Sequence, residues 1–158
     1  MEKGVSSLML TTWAAISALA GSAASVDLPD MITKGNITGG LVAQVGVSDP
    51  LLLKDLGERF HVRLVAPDAE SAAAALNIIV EAELHGQFTV DTAPTGELPF
   101  ADRVLNTLVI FDANRISAEE KRRVLTPRGL LIEWKNGAWT ARRWRRREPP
   151  IASGPAGG

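Results

Sequence analysis

Few residues of this chain can do chemistry, and they fall into two groups. Ser48 and Asp49 follow the apolar run Leu41–Val45, Asp68 follows His61–Ala66, Asp91 follows Gln87–Val90, and Asp112 follows Val104–Phe111. Polar residues just beyond apolar runs are candidates for a small-ligand site. The second group is Arg142-Arg143-Trp144-Arg145-Arg146-Arg147. Guanidinium groups with an interleaved indole bind phosphate and stack on bases, or attach to anionic lipid headgroups. The plainer role is an exposed basic linker, with Trp139 and Trp144 packed on a sheet edge. A basic tail held against an acidic body is a further alternative.

Other chemistries lack material. There is no cysteine, which excludes disulfides, thiolate metal sites and thiol nucleophiles. His61 opens a strand and His85 closes a helix, with no ligand spacing around either, so no metal site is expected. Ser48-Asp49 has no histidine partner at a recognisable spacing, and a hydrolase triad lacks support.

Alternating short elements must position these residues. Leu41–Val45 reads as a buried strand ending at Gly46. Asp49-Pro50 starts a helix over Pro50–Glu58, with Asp as cap and Pro in the first turn. His61–Ala66 is a second strand. Asp68 caps a helix from Ala69 to Leu84, with Leu76, Ile79, Val80 and Leu84 on one stripe. Gln87–Val90 and Val104–Phe111 are the third and fourth strands. Ser117 begins a helix through Leu125, acidic in its first turn and basic in its last, as the helix dipole favours. Leu130–Trp134 is a fifth strand, and Asn136-Gly137 is the turn of an antiparallel C-terminal hairpin returning over Ala138–Trp144. This order predicts a Rossmann-like three-layer α/β sandwich, with a mostly parallel sheet of five or more strands. Ligands of such sheets sit beyond the carboxyl ends of the strands, which singles out Gly46–Pro50, Ala66–Asp68, Asp91–Glu97 and Asp112.

Composition sets the outer limits. The chain has 158 residues, 46% of them hydrophobic, enough for one domain with its own core. Its 17 basic and 18 acidic residues nearly cancel, but eleven of the basic ones fall between Arg115 and Glu148, against four acidic ones. An acidic body thus carries a basic end. Residues 1–25 run from Lys3 through an apolar middle to a small-residue stretch, Ala20–Ser25, the pattern of a secretory signal with a cut near Ala24 or Ser25. A membrane anchor or an ordinary first helix are the alternatives. The expected organisation is a signal at 1–25, a domain at 26–147 and a disordered tail at 148–158, in a protein exported to the periplasm or beyond.

Three segments carry a resemblance. Gly39–Gly46 is similar to the first strand and glycine loop of class I S-adenosylmethionine-dependent methyltransferases. Leu98-Pro99-Phe100-Ala101-Asp102 resembles the segment before their fourth strand in the small-molecule branch. Glu120–Gly129 resembles their turn into the fifth strand. The likeness covers about Asp30 to Trp139 with its landmarks in order, and is nearest to methyltransferase-like domains that precede pyrroloquinoline-quinone-type β-propellers in exported bacterial proteins.

The resemblance implies S-adenosylmethionine as cofactor, no metal, and Gly46, Ser48, Asp49, Asp68 and Asp91 as the positions nearest it. It also shows departures. The G-x-G-x-G loop is here Gly46-Val47-Ser48-Asp49-Pro50. The acid that would hold the ribose falls at Ala66, with Asp68 two residues on. The Asp that would meet the adenine falls at Pro94, with Asp91 as a displaced substitute. Asp112 stands where the superfamily often places a substrate-side group, against the plainer role of helix cap or solvated carboxylate. Three functions are left open: a methyltransferase-like domain with an eroded cofactor loop acting on a small molecule, a noncatalytic structural or interaction module, and a nucleic-acid or membrane-surface binder using the arginine end.

Overall fold

A computed structural model describes residues 27–145. The expected signal, the tail and Arg146-Arg147 lie outside the described residues. Helix α1 (Leu28–Lys34) leads into strand β1 (Gly40–Val45), then β2 (Phe60–Ala66), helix α2 (Ala69–Glu81), β3 (Phe88–Thr92) and β4 (Leu105–Ile110). Helix α3 (Ala118–Val124) runs directly into β5 (Leu125–Lys135), and β6 (Ala138–Arg143) closes the domain.

The six strands form one sheet in the order β3-β2-β1-β4-β5-β6, parallel except for the β5–β6 hairpin. Central parallel strands are covered on both faces, so their sequences are almost continuously apolar. Val42 and Ala43 of β1 and Leu108, Val109 and Ile110 of β4 have no exposed surface. One face packs under α1 and α2 through Leu28, Ile32, Ala75 and Ile79. The other packs under α3 and the segment before β4 through Leu98, Phe100, Ile116 and Val124. This is the expected three-layer sandwich. At the hairpin, Asn136 and Gly137 both have positive φ, 52° and 79°, the two-residue turn whose twist matches the strands.

The expected helix over Pro50–Glu58 is instead a series of turns with one 3-10 turn at Lys54–Leu56. The buried pair Leu53 and Leu56 is spaced i, i+3, which a 3-10 turn eclipses onto one side, and Gly57 at φ 81° ends it. Helix α2 stops at Glu81, three residues early, because Glu83 adopts a left-handed conformation. Its core-facing stripe is Ala75 and Ile79, whereas Leu76 and Val80 are exposed. The small Ala75 lets the helix lie close to the sheet, so only a narrow stripe is covered. Strand β5 starts five residues early, at Leu125, and absorbs Pro127 and Arg128 through a register shift against β4. Strand β3 runs on to Thr92, which puts Asp91 inside it.

Candidate functional site

Strand order reverses between the parallel neighbours β1 and β4. A cavity of about 500 Å3 opens there beyond the carboxyl ends of β1, β2 and β4. It is lined by the loop after β1, by Ala66 and Pro67, by one side of α2, by Ala93 and Gly96, and by the loop after β4. Apolar side chains make most of its wall, including Val45, Val65, Ile78, Phe111 and Ile116.

The loop after β1 is held from below. Gly46 has φ 105°, and a Cβ there would crowd the Phe111 ring at 3.1 Å. Gln44, fully buried in β1, donates from Nε2 to the carbonyls of Gly46 at 3.1 Å and Asp49 at 2.9 Å. Its own Oε1 has no partner among the described residues. Pro50 is buried against the cavity and carries no N–H. The loop is thus a fixed wall with one donor fewer than a glycine would supply.

The sequence-selected residues separate. Gly46, Ser48 and Asp112 line the cavity; Asp49, Asp68 and Asp91 do not. Asp49 accepts from the Leu51 amide at 3.1 Å. Asp68 caps α2 by accepting from the Ser71 amide at 2.7 Å, and that bond holds its carboxyl below the ordinary range. Asp91 is paired with Arg63 at 2.6 Å. Ala66 lines the cavity and is buried. The two ionisable lining residues are Asp112 and Arg115. Asp112 accepts from the Asn114 amide at 3.0 Å, which forms the turn after β4. Arg115 has no carboxylate within ion-pair distance among the described residues.

Two charged networks stand behind the site. Arg123 donates to the carbonyls of Leu98 at 3.0 Å and Phe100 at 2.6 Å and to Glu120 at 2.6 Å, while Glu120 accepts from the Leu98 amide at 2.7 Å. Arg123 and the Leu98 amide hold the Glu120 carboxyl below its ordinary range, and the acids around Arg123 raise its guanidinium further, so it stays charged. Lys121 donates to Glu133 at 2.8 Å and to the Ala113 carbonyl at 2.9 Å. Glu133 is 2% exposed. Burial pushes its carboxyl up, but the hydrogen bonds from Lys121 and Lys135 outweigh this and leave it below the ordinary range.

Gln44, Lys121 and Glu133 were not singled out by sequence reasoning. The available signal was a polar residue inside an apolar run, Gln44 in Leu41–Val45 and Glu133 in Leu130–Trp134.

No family model and no curated protein matches the chain. Solved structures do. A SAM-dependent methyltransferase from Aquifex aeolicus superposes with a TM-score of 0.55 at 22% identity, over 77% of this chain and 68% of that one. A geranyl diphosphate methyltransferase in complex with SAM gives 0.54 at 13% identity, over 67% of this chain and 47% of that one. The chain has a class I methyltransferase-like fold. It spans about half the length of several solved structures it resembles. One of them is named a [4+2]-cyclase, SpnF, with a TM-score of 0.53 at 19% identity, over 67% of this chain and 43% of that one. A shared fold therefore leaves the activity to be argued from the site.

Proposed function

We propose that this domain is a methyltransferase-like module that keeps the cofactor cavity of its fold but not the polar contacts for S-adenosylmethionine, and that it serves as a noncatalytic binding or interaction module. The observation that carries this reading is Ala66 in the cavity wall, with the nearby carboxylates of Asp68 and Asp91 committed to a helix cap and an ion pair. The residues present do not fit the cofactor: Ala66 has no oxygen that would accept from its ribose hydroxyls, and Pro50 has no N–H that would donate to its carboxylate end. Losing three hydrogen bonds to charged or buried groups costs about 4–9 kcal/mol in sum. A micromolar affinity is worth only about 8 kcal/mol. Export, as residues 1–25 suggest, agrees with this reading, because the cofactor is made in the cytoplasm; sequencing the N-terminus of secreted protein checks it.

Calorimetry of the full chain with S-adenosylmethionine and S-adenosylhomocysteine is the direct test. No heat at millimolar ligand is expected, and a dissociation constant below about 100 µM overturns the reading. The combined variant Ser48→Gly, Pro50→Gly and Ala66→Asp is expected to gain binding by at least about thirtyfold if the missing contacts are the cause.

A further inference from the structure

At the opposite edge of the sheet, where β4 and β5 begin and β6 ends, lies a second hollow of about 870 Å3. Its lining holds five arginines and no acid. They come from three separate parts of the chain: Arg103 before β4, Arg122 on α3, and Arg142, Arg143 and Arg145 at the end of β6. The linear cluster at the C-terminus is therefore one side of a basin whose other side is built by residues about 20 and 40 positions earlier.

The basin is held in place by the fold. Trp144 packs on the core beside Leu125. Its amide donates to the Gly129 carbonyl at 2.7 Å, and its carbonyl accepts from the Arg128 amide at 3.1 Å. Arg142 lies over the indole, 5.1 Å from its centroid, which fixes the guanidinium without neutralising it. Among the described residues, Arg103, Arg122 and Arg145 have no carboxylate within ion-pair distance, and Arg142 has only Glu133 at 3.9 Å. Arg143 donates to the Gly35 carbonyl. Like charges gathered in one hollow with few acidic partners repel one another and raise the local potential.

We propose that this basin binds a soluble, multiply phosphorylated small anion. Arg103, Arg122, Arg142 and Arg145 bring guanidinium groups to this hollow from three segments, while Arg143, paired with Leu130 on the α1 face of the sheet, is held by the Gly35 carbonyl; linked phosphates engage separate guanidinium groups better than a single phosphate does. A single-stranded nucleic acid needs an open aromatic face for its bases, and here Arg142 already stacks over the Trp144 ring. A bilayer is flat and would meet only the rim of a concave basin.

Inorganic tripolyphosphate is the probe, titrated calorimetrically into the full chain at about 50 mM and about 200 mM salt. Saturable binding that weakens with salt is expected. The double variant Arg103→Gln and Arg122→Gln, which leaves the C-terminal cluster intact, is expected to lose at least about tenfold in affinity with its unfolding midpoint unchanged. Arg59→Gln, outside the basin, is expected to change affinity by less than about twofold. The proposal is overturned by absence of binding at millimolar tripolyphosphate in low salt. It is equally overturned if the double variant binds like the parent, since the linear cluster alone would then be responsible. Tighter binding to a 20-nucleotide single strand, or to vesicles rich in phosphatidylglycerol, would also overturn it and assign the basin to that partner.

Discussion

The carboxyl and amino edges of the sheet carry hollows of opposite character. The first lies where strand order reverses, is walled by apolar groups and holds one Asp and one Arg. The second lies beside the terminal hairpin and is lined by five arginines. Topology alone creates the first, because a doubly wound sheet leaves a crevice at its switch point whatever side chains surround it. Side chains create the second, because nothing in the backbone order calls for Arg103 and Arg122 to face the end of β6. A cavity that the fold supplies can outlast its chemistry. A charged basin has to be maintained residue by residue.

The strongest test of this contrast is the buried pair between the two edges. Lys121 reaches the Ala113 carbonyl near the first cavity, and Glu133 lies 3.9 Å from Arg142 of the second. Glu133→Ala leaves the Lys121 ammonium buried without its carboxylate, and is expected to cost about 3–5 kcal/mol in urea unfolding. Lys121→Met with Glu133→Leu is expected to recover most of that loss, since an apolar pair carries no desolvation penalty. The pH dependence has a definite sign. The Glu133 carboxyl is depressed in the fold, so its stabilisation is complete above the unfolded value of about 4.3 and disappears as pH falls through the lower folded value. The stability gap between the parent and Glu133→Gln should therefore narrow on acidification below about pH 4.

A smaller effect is expected at the latch. Arg123→Ala removes charge-assisted bonds to Glu120 and to the carbonyls of Leu98 and Phe100, at a cost of about 2 kcal/mol. Faster amide exchange confined to residues 97–103 would show that the loss is local. Gln44→Leu is expected to cost about 1–2 kcal/mol and to loosen residues 46–50, leaving tripolyphosphate binding unchanged. If both edges respond, the two hollows are coupled and the contrast fails. The smallest effect is on α2: Leu76→Ser and Val80→Ser should each stay within about 0.5 kcal/mol, because both side chains are already exposed.

Leu98–Asp102 and Glu120–Arg123 were legible as separate landmarks, and the structure shows why they occur together: each supplies one half of the same hydrogen-bonded latch. The central strands were legible because parallel strands buried on both faces are written as nearly continuous apolar runs. The helix expected over Pro50–Glu58 misled because Leu51, Leu52, Leu53 and Leu56 suit a helix and a turn equally, and contact with the core decided between them. Strand β5 was read too short because Pro127 and Gly129 signal a turn, whereas Leu125 already pairs with Leu105, and a bulge with Arg128 at φ 68° is held in the sheet by the bonds of Arg128 and Gly129 to Trp144.

By itself, the sequence determined the order of the strands and of helices α2 and α3, the two-residue hairpin turn, the caps at Asp68 and Ser117, and the absence of thiol chemistry. These follow from local rules of apolar period, cap chemistry and composition, which need no knowledge of distant partners. Only the tertiary structure decided that Asp68 and Asp91 turn away from the cavity, that Glu133 is matched by Lys121, and that Arg103 and Arg122 join the end of β6. Each of these depends on which residues, far apart in the chain, share a few ångströms of space. Electrostatic energy is set by that distance and not by separation along the chain.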